Sequence, residues 1–550
     1  MSTYGELRVK VGRKPITIVE LDLDSCANTF GVAPCTAVGT GDAKCFNTFG
    51  TCKDTPNYSK TTKTYRFCSN TALLPVGQNF YPCIEDVDIA ATQLNPKGIS
   101  VNASVTVTMR DFPDHDRGVD PYVSGRTYNP MGQGTFFGKL RARNQFMRNR
   151  VIRVNTGYID ADRTVVTQTR TYFIARIEGP DANGMVKLVG RGLVAFGADD
   201  KITVPLPTTA SLATPITNTT YTGPITLQPA GVGATFPVGP GRIIIENEAL
   251  QYSSRSGDVL TLSVRGDSSP AAAHAANTAV QQVYTFSVGL KTVVQVLHDI
   301  LTNYGQVDPA YIDLTDWQNE AAAAGISGSL GDQYKGLLNC LVSQPTAVGK
   351  IVKEICQFYG VFLWWDEVAA KVRFKVVGPY GGIVPVIDED SNILASSLTV
   401  KDLEKERVTG YAYYWLPRSY AETNVERSDC ELYRLSVDGS AESANKYDEA
   451  ATATLVSRCG YATTTFGTFN TVDNVHTRML AWFGFTPREY TFMLDAKDAD
   501  KKTGDLVDIV TRLVQSPDGS KAAVRCIITE AQEVEPGSHW RYKAQQIKPL

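Results

Sequence analysis

The sequence predicts a mainly β, multidomain chain that carries an α/β insert. With 550 residues, the chain is long enough for three to five domains with separate cores. Gly, Thr, Val, Tyr and Phe are common, and runs such as ISVNASVTVTM (99–109) alternate apolar and polar residues. Such alternation predicts strands with one buried face, whereas helical periodicity is confined to one internal region.

Changes in this pattern divide the chain into five predicted segments. We expect N-terminal strands with a cysteine-rich segment at 1–84, a β-barrel domain at 85–205, a small β module at 206–286, an α/β domain at 287–394 and a second β-barrel domain at 395–550. The two barrel-like domains share no sequence repeat.

Strands are predicted throughout the first half. They are ELRVKV (6–11), ITIVELDL (16–23), KTYRFCS (63–69), the hairpin TRTYFIARIEGPDANGMVKLVGRGLVA (169–195) and the strand set GRIIIENEALQYSSRSGDVLTLSVRG (241–266). The turns between them are marked by Pro-Asp-Ala-Asn-Gly and Ser-Gly-Asp.

Helical spacing begins near residue 288 and ends at an aromatic hairpin. Helices are predicted in 288–305, 314–325, 336–344 and 346–360, where Thr346 is the expected N-cap and Gly360 the terminator. VFLWWDEVAAKVRFKVVGP (361–379) predicts a hairpin that turns near Asp366–Ala370.

The C-terminal part returns to strands. These are predicted at 391–400, 407–417, 488–496, 504–514, 521–535 and 539–547, with one short helix at 472–484.

Four cysteines fall in one Gly-, Thr-, Asn- and Pro-rich stretch, which predicts a loop wrapped around a centre. They are Cys26, Cys35, Cys45 and Cys52. The gaps of eight, nine and six residues contain no CxxC knuckle of the kind that zinc sites use. An iron–sulfur cluster, zinc, two disulfides and plain packing all remain open on spacing alone.

Composition narrows these alternatives. The formal charge is −3, and no excess of cations indicates a nucleic-acid-binding protein. The N-terminus has no signal-peptide pattern and no apolar run reaches the length of a membrane helix, so we expect no membrane segment and synthesis in a reducing cytoplasm. Such a compartment disfavours disulfides. The scattered cysteines are predicted as core residues: Cys340, Cys356, Cys430, Cys459 and Cys526.

Two charged stretches are candidate sites, one for a metal and one for DNA. Acidic residues gather in a predicted surface loop, where a solvated turn is favoured over a metal site: Asp111, Asp114, His115, Asp116 and Asp120. Cations gather just after it, where charged faces of strands are favoured over DNA contact: Lys139, Arg141, Arg143, Arg148, Arg150 and Arg153.

The cysteine stretch also resembles a known family. LDLDSCANTFGVAPC, CFNTFGTCKD and TTKTYRFC are similar to the cysteine-rich segment of siphophage tail-tip hub proteins, including the lambda-type minor tail protein L and the hub of gene transfer agents. The resemblance implies that Cys26, Cys35, Cys45 and Cys52 ligate the iron of a 4Fe-4S cluster. Nearby Cys68 and Cys83 are possible substitutes for one of these ligands.

The same resemblance implies a function. It implies a baseplate hub that forms a homotrimer at the virion tail tip and is made in the host bacterial cytoplasm. The trimeric ring would join the hexameric tube of a long non-contractile tail to the tip fibre and line the DNA exit channel, without sequence-specific DNA binding. Its expected partners are the distal tail protein, the tape measure protein and a central tail fibre or tip protein.

The sequence contains no convincing pair of nucleophile and base, and no GxSxG, HExxH or phosphate-loop motif. We therefore expect that the protein is not an enzyme. Two alternatives stay open from other classes. An iron–sulfur redox protein or enzyme would need a substrate pocket and further cofactor motifs, and a secreted disulfide-bonded adhesin would need a signal peptide.

Overall fold

The computed structural model describes most of the chain, and it is mainly β as predicted. The described residues are 2–69, 79–95, 100, 103–160, 162–193, 202–267, 269–285, 291–326, 337–338, 342–378, 380–418, 425–438, 451–458 and 471–547. Strands and helices are numbered below in chain order.

The first sheet has eight strands in the order β3-β2-β1-β6-β7-β8-β5-β4. They are β1 (Pro15–Cys26), β2 (Lys60–Cys68), β3 (Phe80–Pro82), β4 (Ile84–Ala90), β5 (Ser104–Arg110), β6 (Val151–Ile159), β7 (Val165–Glu178) and β8 (Met185–Arg191). The edge strands β3 and β4 are separated in the chain by Cys83 alone. The sheet therefore curls until its edges nearly meet, which confirms a barrel-like domain.

Alternate residues of these strands fill the barrel, together with helix α2 (Phe136–Arg143), which contributes Phe136, Phe137 and Leu140 to the core. Strands from 1–84 and from 85–205 join this one sheet, so the predicted division at residue 84 falls inside it.

The first predicted strand, ELRVKV, is wrong. Tyr4–Arg8 forms the short helix α1, which Thr3 and Glu6 close with a reciprocal capping box. Its alternating apolar residues do not form a buried face, because Val9 and Val11 are exposed.

The small β module is a six-stranded sheet in the order β10-β11-β14-β13-β12-β15. Its strands are β10 (Ser211–Leu212), β11 (Pro224–Gln228), β12 (Gly241–Ile245), β13 (Glu248–Ser256), β14 (Val259–Val264) and β15 (Val280–Val283). The predicted strand set at 241–266 is confirmed, with Gly257 at positive φ in its turn.

The α/β region places its helices where the periodicity predicts them. They are α3 (Val293–Asp299, continued by a π-helical turn at Ile300–Tyr304), α4 (Leu314–Ala323) and α5 (Val348–Tyr359). Gly360 ends α5 with φ 60°, but Ala347 rather than Thr346 occupies the N-cap. Within the helix predicted at 336–344, Leu337–Leu338 form a short strand, and residues 336 and 339–341 lie outside the described part of the chain.

The strands of this region are mostly short pairs. They are β9 (Thr203–Val204) with β18 (Thr346–Ala347), β16 (Lys291–Thr292) with β17 (Leu337–Leu338), and the confirmed hairpin β19 (Val361–Asp366) with β20 (Lys371–Val376).

The C-terminal part contains a six-stranded sheet, a three-stranded sheet and the predicted helix α6 (Thr471–Phe483). The larger sheet, in its spatial order, contains β21 (Val386–Asp388), β27 (Leu506–Gln515), β28 (Lys521–Glu535), β29 (His539–Gln546), β26 (Arg488–Asp495) and β22 (Thr399–Asp402). The smaller one contains β24 (Cys430–Val437), β23 (Gly410–Pro417) and β25 (Thr452–Ser457). Most of the strand predicted at 391–400 is irregular.

A buried carboxylate organises the small β module. Glu248 accepts two hydrogen bonds from the Arg265 guanidinium at 2.7 and 2.8 Å, one from the Gly266 N–H and one from the Ala272 N–H. His274 Nε2 lies 2.7 Å from the same carboxylate. Although burial alone raises it, these donors lower the pKa of Glu248 to about 2.

We expect Glu248→Gln to loosen the segment 265–274. The amide cannot replace the charge beside Arg265, so local opening should become easier by roughly 3 kcal/mol. Because the folded pKa lies below the ordinary value of 4.5, the contribution is present above pH 4.5 and lost as the pH falls toward 2. Hydrogen exchange of 265–274 checks both statements: the difference between wild type and variant should shrink in acid. An equal difference at all pH values would contradict this role.

Candidate metal centre

The four cysteines of the cysteine loop, which we define as residues 26–52, line one cleft. Cys45 is buried, the other three are half-buried, and all four are free thiols. Burial raises the pKa of the Cys45 thiol, and the neighbouring Cys52, Cys35 and Cys26 raise it further. Among the residues that the structure describes, no three Cys, His, Asp or Glu side chains are grouped closely enough to hold a single metal ion.

Backbone hydrogen bonds fix three of the four cysteines. Cys26 ends β1, and its N–H donates to the Asn47 carbonyl at 2.7 Å. Cys35 N–H donates to the Val32 carbonyl at 2.9 Å, and Cys52 N–H donates to the Phe49 carbonyl at 3.1 Å. The four thiols therefore come from separate pieces of chain, in keeping with the wide gaps between the cysteines.

Two polar groups form hydrogen bonds with the sulfurs of Cys52 and Cys45. The Asp54 N–H donates to Cys52 Sγ at 3.4 Å, and Cys45 Sγ donates to Asn47 Oδ1 at 3.6 Å. Backbone N–H donors are the groups that stabilise a charged thiolate sulfur. The donor set, four thiols with an N–H donor beside one of them, therefore suits a soft metal centre.

The loop has little apolar support. Its own cluster contains Phe30, Ala37 and Cys45, with Cys35 and Tyr122 at the margin. Such a small core cannot offset the entropy of ordering a loop of this length. Other contacts must therefore hold it in place.

A second loop, residues 111–126, supplies those contacts and is called here the aspartate loop. The Arg126 guanidinium donates to the carbonyls of Gly41, Lys44 and Cys45 at 2.9 to 3.1 Å. It also pairs with Asp120 at 2.7 Å, and both side chains are fully buried. The guanidinium further stacks 4.0 Å from the centre of the Phe46 ring. One side chain thus satisfies three loop carbonyls and places a charge beside its own counterion.

Tyr122 is a second anchor from the aspartate loop. Its hydroxyl accepts from the Phe30 N–H and donates to Asn47 Oδ1, both at 2.9 Å. Asn47 in turn donates to the Cys26 carbonyl at 3.3 Å and has a positive φ of 55°. The two ends of the cysteine loop therefore share one side chain of the aspartate loop.

The predicted solvated acidic turn is wrong, because three of its four aspartates are buried. Asp114, Asp116 and Asp120 are at most 6% exposed. Asp116 pairs with Arg143 at 2.6 Å and with Lys139 at 2.8 Å. Asp116 thus anchors the loop to α2, while Asp120 pairs with Arg126 and Asp114 accepts from the Asp116 N–H inside the loop.

The prediction that the basic stretch forms charged faces of strands is wrong for its first part. Lys139, Arg141 and Arg143 lie on helix α2, and only the later part, from residue 151, is the strand β6. Arg153 pairs with Glu20 and Asp22 on β1, while Arg141 and Arg148 are exposed. Carboxylates on neighbouring elements thus neutralise much of the stretch.

The other cysteines lie elsewhere. Cys68 stands opposite Ile18, at the end of β1 far from Cys26, and it does not line the cleft. Burial, with a smaller contribution from nearby Cys68, raises the pKa of Cys83 to about 12. Cys356, Cys430 and Cys526 are buried as predicted, whereas Cys340 and Cys459 lie outside the described residues.

Three tail proteins of known structure show likeness to this chain. A tail protein from Neisseria meningitidis MC58 is 10% identical with a TM-score of 0.37, over 84% of this chain and 91% of that one. The 43 kDa tail protein of prophage MuSo2 from Shewanella oneidensis is 8% identical with a TM-score of 0.35, over 84% and 98%. Prophage tail protein gp18 from Listeria monocytogenes EGD-e is 9% identical with a TM-score of 0.34, over 85% and 91%.

The sequence matches no family model and no curated protein. Within the described ranges, no helix combines the length and the apolar character needed to span a membrane.

We expect Arg126→Met to release the cysteine loop in the metal-free protein. The substitution leaves three loop carbonyls without a donor and Asp120 buried without its counterion, a loss of roughly 3 to 5 kcal/mol in local stability. Hydrogen exchange at residues 41–47 should accelerate by at least a hundredfold. Arg110→Met, which removes an exposed pair with Glu85, is the matched control and should change nothing there. Equal protection of the loop in both variants would refute the anchoring role.

Proposed function

We propose that Cys26, Cys35, Cys45 and Cys52 ligate one 4Fe-4S cluster. The observation that carries the proposal is that these four free thiols share one cleft although they come from separate parts of the cysteine loop. The ligands of a cluster bind different irons and therefore stand further apart than the ligands of one zinc ion. Zinc is the alternative occupant, and the absence of any CxxC knuckle weighs against it.

The bound cluster would supply four iron–thiolate bonds that cross-link the loop. The residues of the chain do the remainder: Asn47 and Arg126 fix the backbone, and the Asp54 N–H faces the Cys52 sulfur. A loop with three buried apolar residues gains most from such a cross-link, because metal binding then contributes directly to its folding. The proposed role of the centre is therefore structural stabilisation rather than catalysis.

At the level of the whole protein, we propose the structural hub of a siphophage tail tip. The support is the resemblance of the cysteine segment to that family, on a chain whose first domain is a nearly closed barrel. In this role three copies form a ring that lines the DNA exit channel and contacts the distal tail protein, the tape measure protein and a tip fibre. A β-rich chain of low net charge suits burial against copies of itself.

Iron content tests the cluster. Protein purified without oxygen should be brown and hold about four irons per chain. Each of Cys26→Ser, Cys35→Ser, Cys45→Ser and Cys52→Ser should lose most of this iron, because a missing thiolate opens one corner of the cluster. Cys68→Ser is the control and should keep it. Zinc in place of iron, or loss of iron only in Cys68→Ser, would overturn the assignment.

Assembly state tests the hub. The full chain, loaded with iron, should form a particle of three times the chain mass of 59.9 kDa in light scattering. Negative-stain images should show a ring with a central opening. A loaded protein that stays monomeric at every concentration, and in the presence of the distal tail protein, would contradict this role.

A further inference from the structure

Tyr58 lies on the wall of the cysteine cleft and has an unused hydroxyl group. The hydroxyl oxygen is buried, and among the residues that the structure describes it has no hydrogen-bond partner. A buried hydroxyl without a partner is costly, typically by about 1 to 3 kcal/mol. Because Tyr58 lines the cleft that holds the four thiols, an acceptor in this cleft would satisfy the hydroxyl.

The ring of Tyr58 is held so that the hydroxyl stays at this position. Its backbone N–H donates to the Thr55 carbonyl at 3.2 Å, closing the short turn Thr55–Asn57. The ring packs edge-on against Phe49, with 5.2 Å between ring centres. Asp54, four residues earlier, accepts hydrogen bonds from the Thr36 N–H and from the Asn57 side chain, and these bonds fix the turn further.

A phenol hydroxyl is protonated at physiological pH and can donate a hydrogen bond. Asp24, a nearby acceptor, pairs with Arg150 and with Lys60 and makes no hydrogen bond to this hydroxyl. Cys26 and Cys52 line the same cleft as Tyr58, so their sulfurs are acceptors that this hydroxyl can address.

We infer that the Tyr58 hydroxyl donates a hydrogen bond to the ligating sulfur of Cys26 or Cys52 when the metal centre is formed. The inference rests on the proposed cluster and assigns this chain's own donor to it. A donor at a ligating sulfur withdraws negative charge from the centre, and it stabilises the reduced form more because that form carries the extra electron. Tyr58 is thus a positioning residue that raises the reduction potential and slows loss of the cluster.

The test is Tyr58→Phe in the full chain, reconstituted with iron and sulfide without oxygen. The variant keeps the ring and its contact with Phe49 and removes only the donor. The equilibrium constant for one-electron reduction should fall roughly tenfold, which is about 59 mV toward more negative potential in a dye-mediated titration. Loss of absorbance in the presence of an iron chelator should also become several-fold faster.

Tyr172→Phe is the matched control. Tyr172 also has a buried hydroxyl without a hydrogen-bond partner in the described structure, but it lies in the barrel core and away from the cleft. Its potential and chelation rate should equal those of the wild type. A second measurement does not depend on the stability of the variant: iron–sulfur stretching bands of the wild type should shift in D₂O through the exchangeable hydroxyl proton, and this part of the shift should vanish in Tyr58→Phe.

The outcomes separate the two proposals. A fully loaded Tyr58→Phe protein with unchanged potential, chelation rate and D₂O shift overturns the role of Tyr58 and leaves the cluster intact. A wild-type chain that takes up no iron on reconstitution overturns both.

Discussion

A buried guanidinium, that of Arg126, holds the cysteine loop against the rest of the protein. Several backbone carbonyls of the loop are removed from water, and such carbonyls need hydrogen-bond donors from the protein. Arg126 provides donors for three of them and is itself balanced by Asp120. Because the charge is fully buried, the arrangement is stable only while both partners and the carbonyls are present together. The geometry of the four thiols therefore depends on one ion pair outside the loop.

That ion pair depends in turn on the barrel. The aspartate loop that carries Asp120 and Arg126 is fixed to helix α2 through Asp116, which pairs with Arg143 and Lys139. The adjoining face of α2 is buried in the barrel core through Phe136, Phe137 and Leu140. A continuous series of contacts thus leads from the interior of the barrel to the cysteine cleft. A metal centre in the cleft would be positioned by a well-packed domain even though its own loop has almost no core.

Sequence reasoning succeeded where the pattern is local and failed where the partner is distant. The hairpin at 169–195 and helix α5 follow from alternation, from helical periodicity and from a terminating glycine. The four-cysteine set could be singled out because its members are close in sequence. Asp116 and Arg143 could not be matched, because a run of carboxylates and a run of cations have the same composition whether solvated or paired across 27 positions. Tyr58 carries no sequence signal of its own, since only the burial of its hydroxyl together with its place in the cysteine cleft distinguishes it from other tyrosines.

The position of the loop on the barrel explains why a local cross-link is useful there. β1 pairs with β6 only as far as Leu21, but with β2 as far as Cys26. The two strands therefore continue past β6 as a two-stranded ribbon, and an isolated ribbon is only marginally stable in water. The segment that begins at Cys26 closes on itself where Ala27 donates to the Ser59 carbonyl at 2.8 Å. Its interior is held mainly by the polar contacts of Asn47, Tyr122 and Arg126. Cross-linking four points inside such a closed segment lowers the entropy of the unfolded loop more than further pairing at its base would. A thiolate-ligated centre supplies that constraint without the apolar residues that a larger core would require.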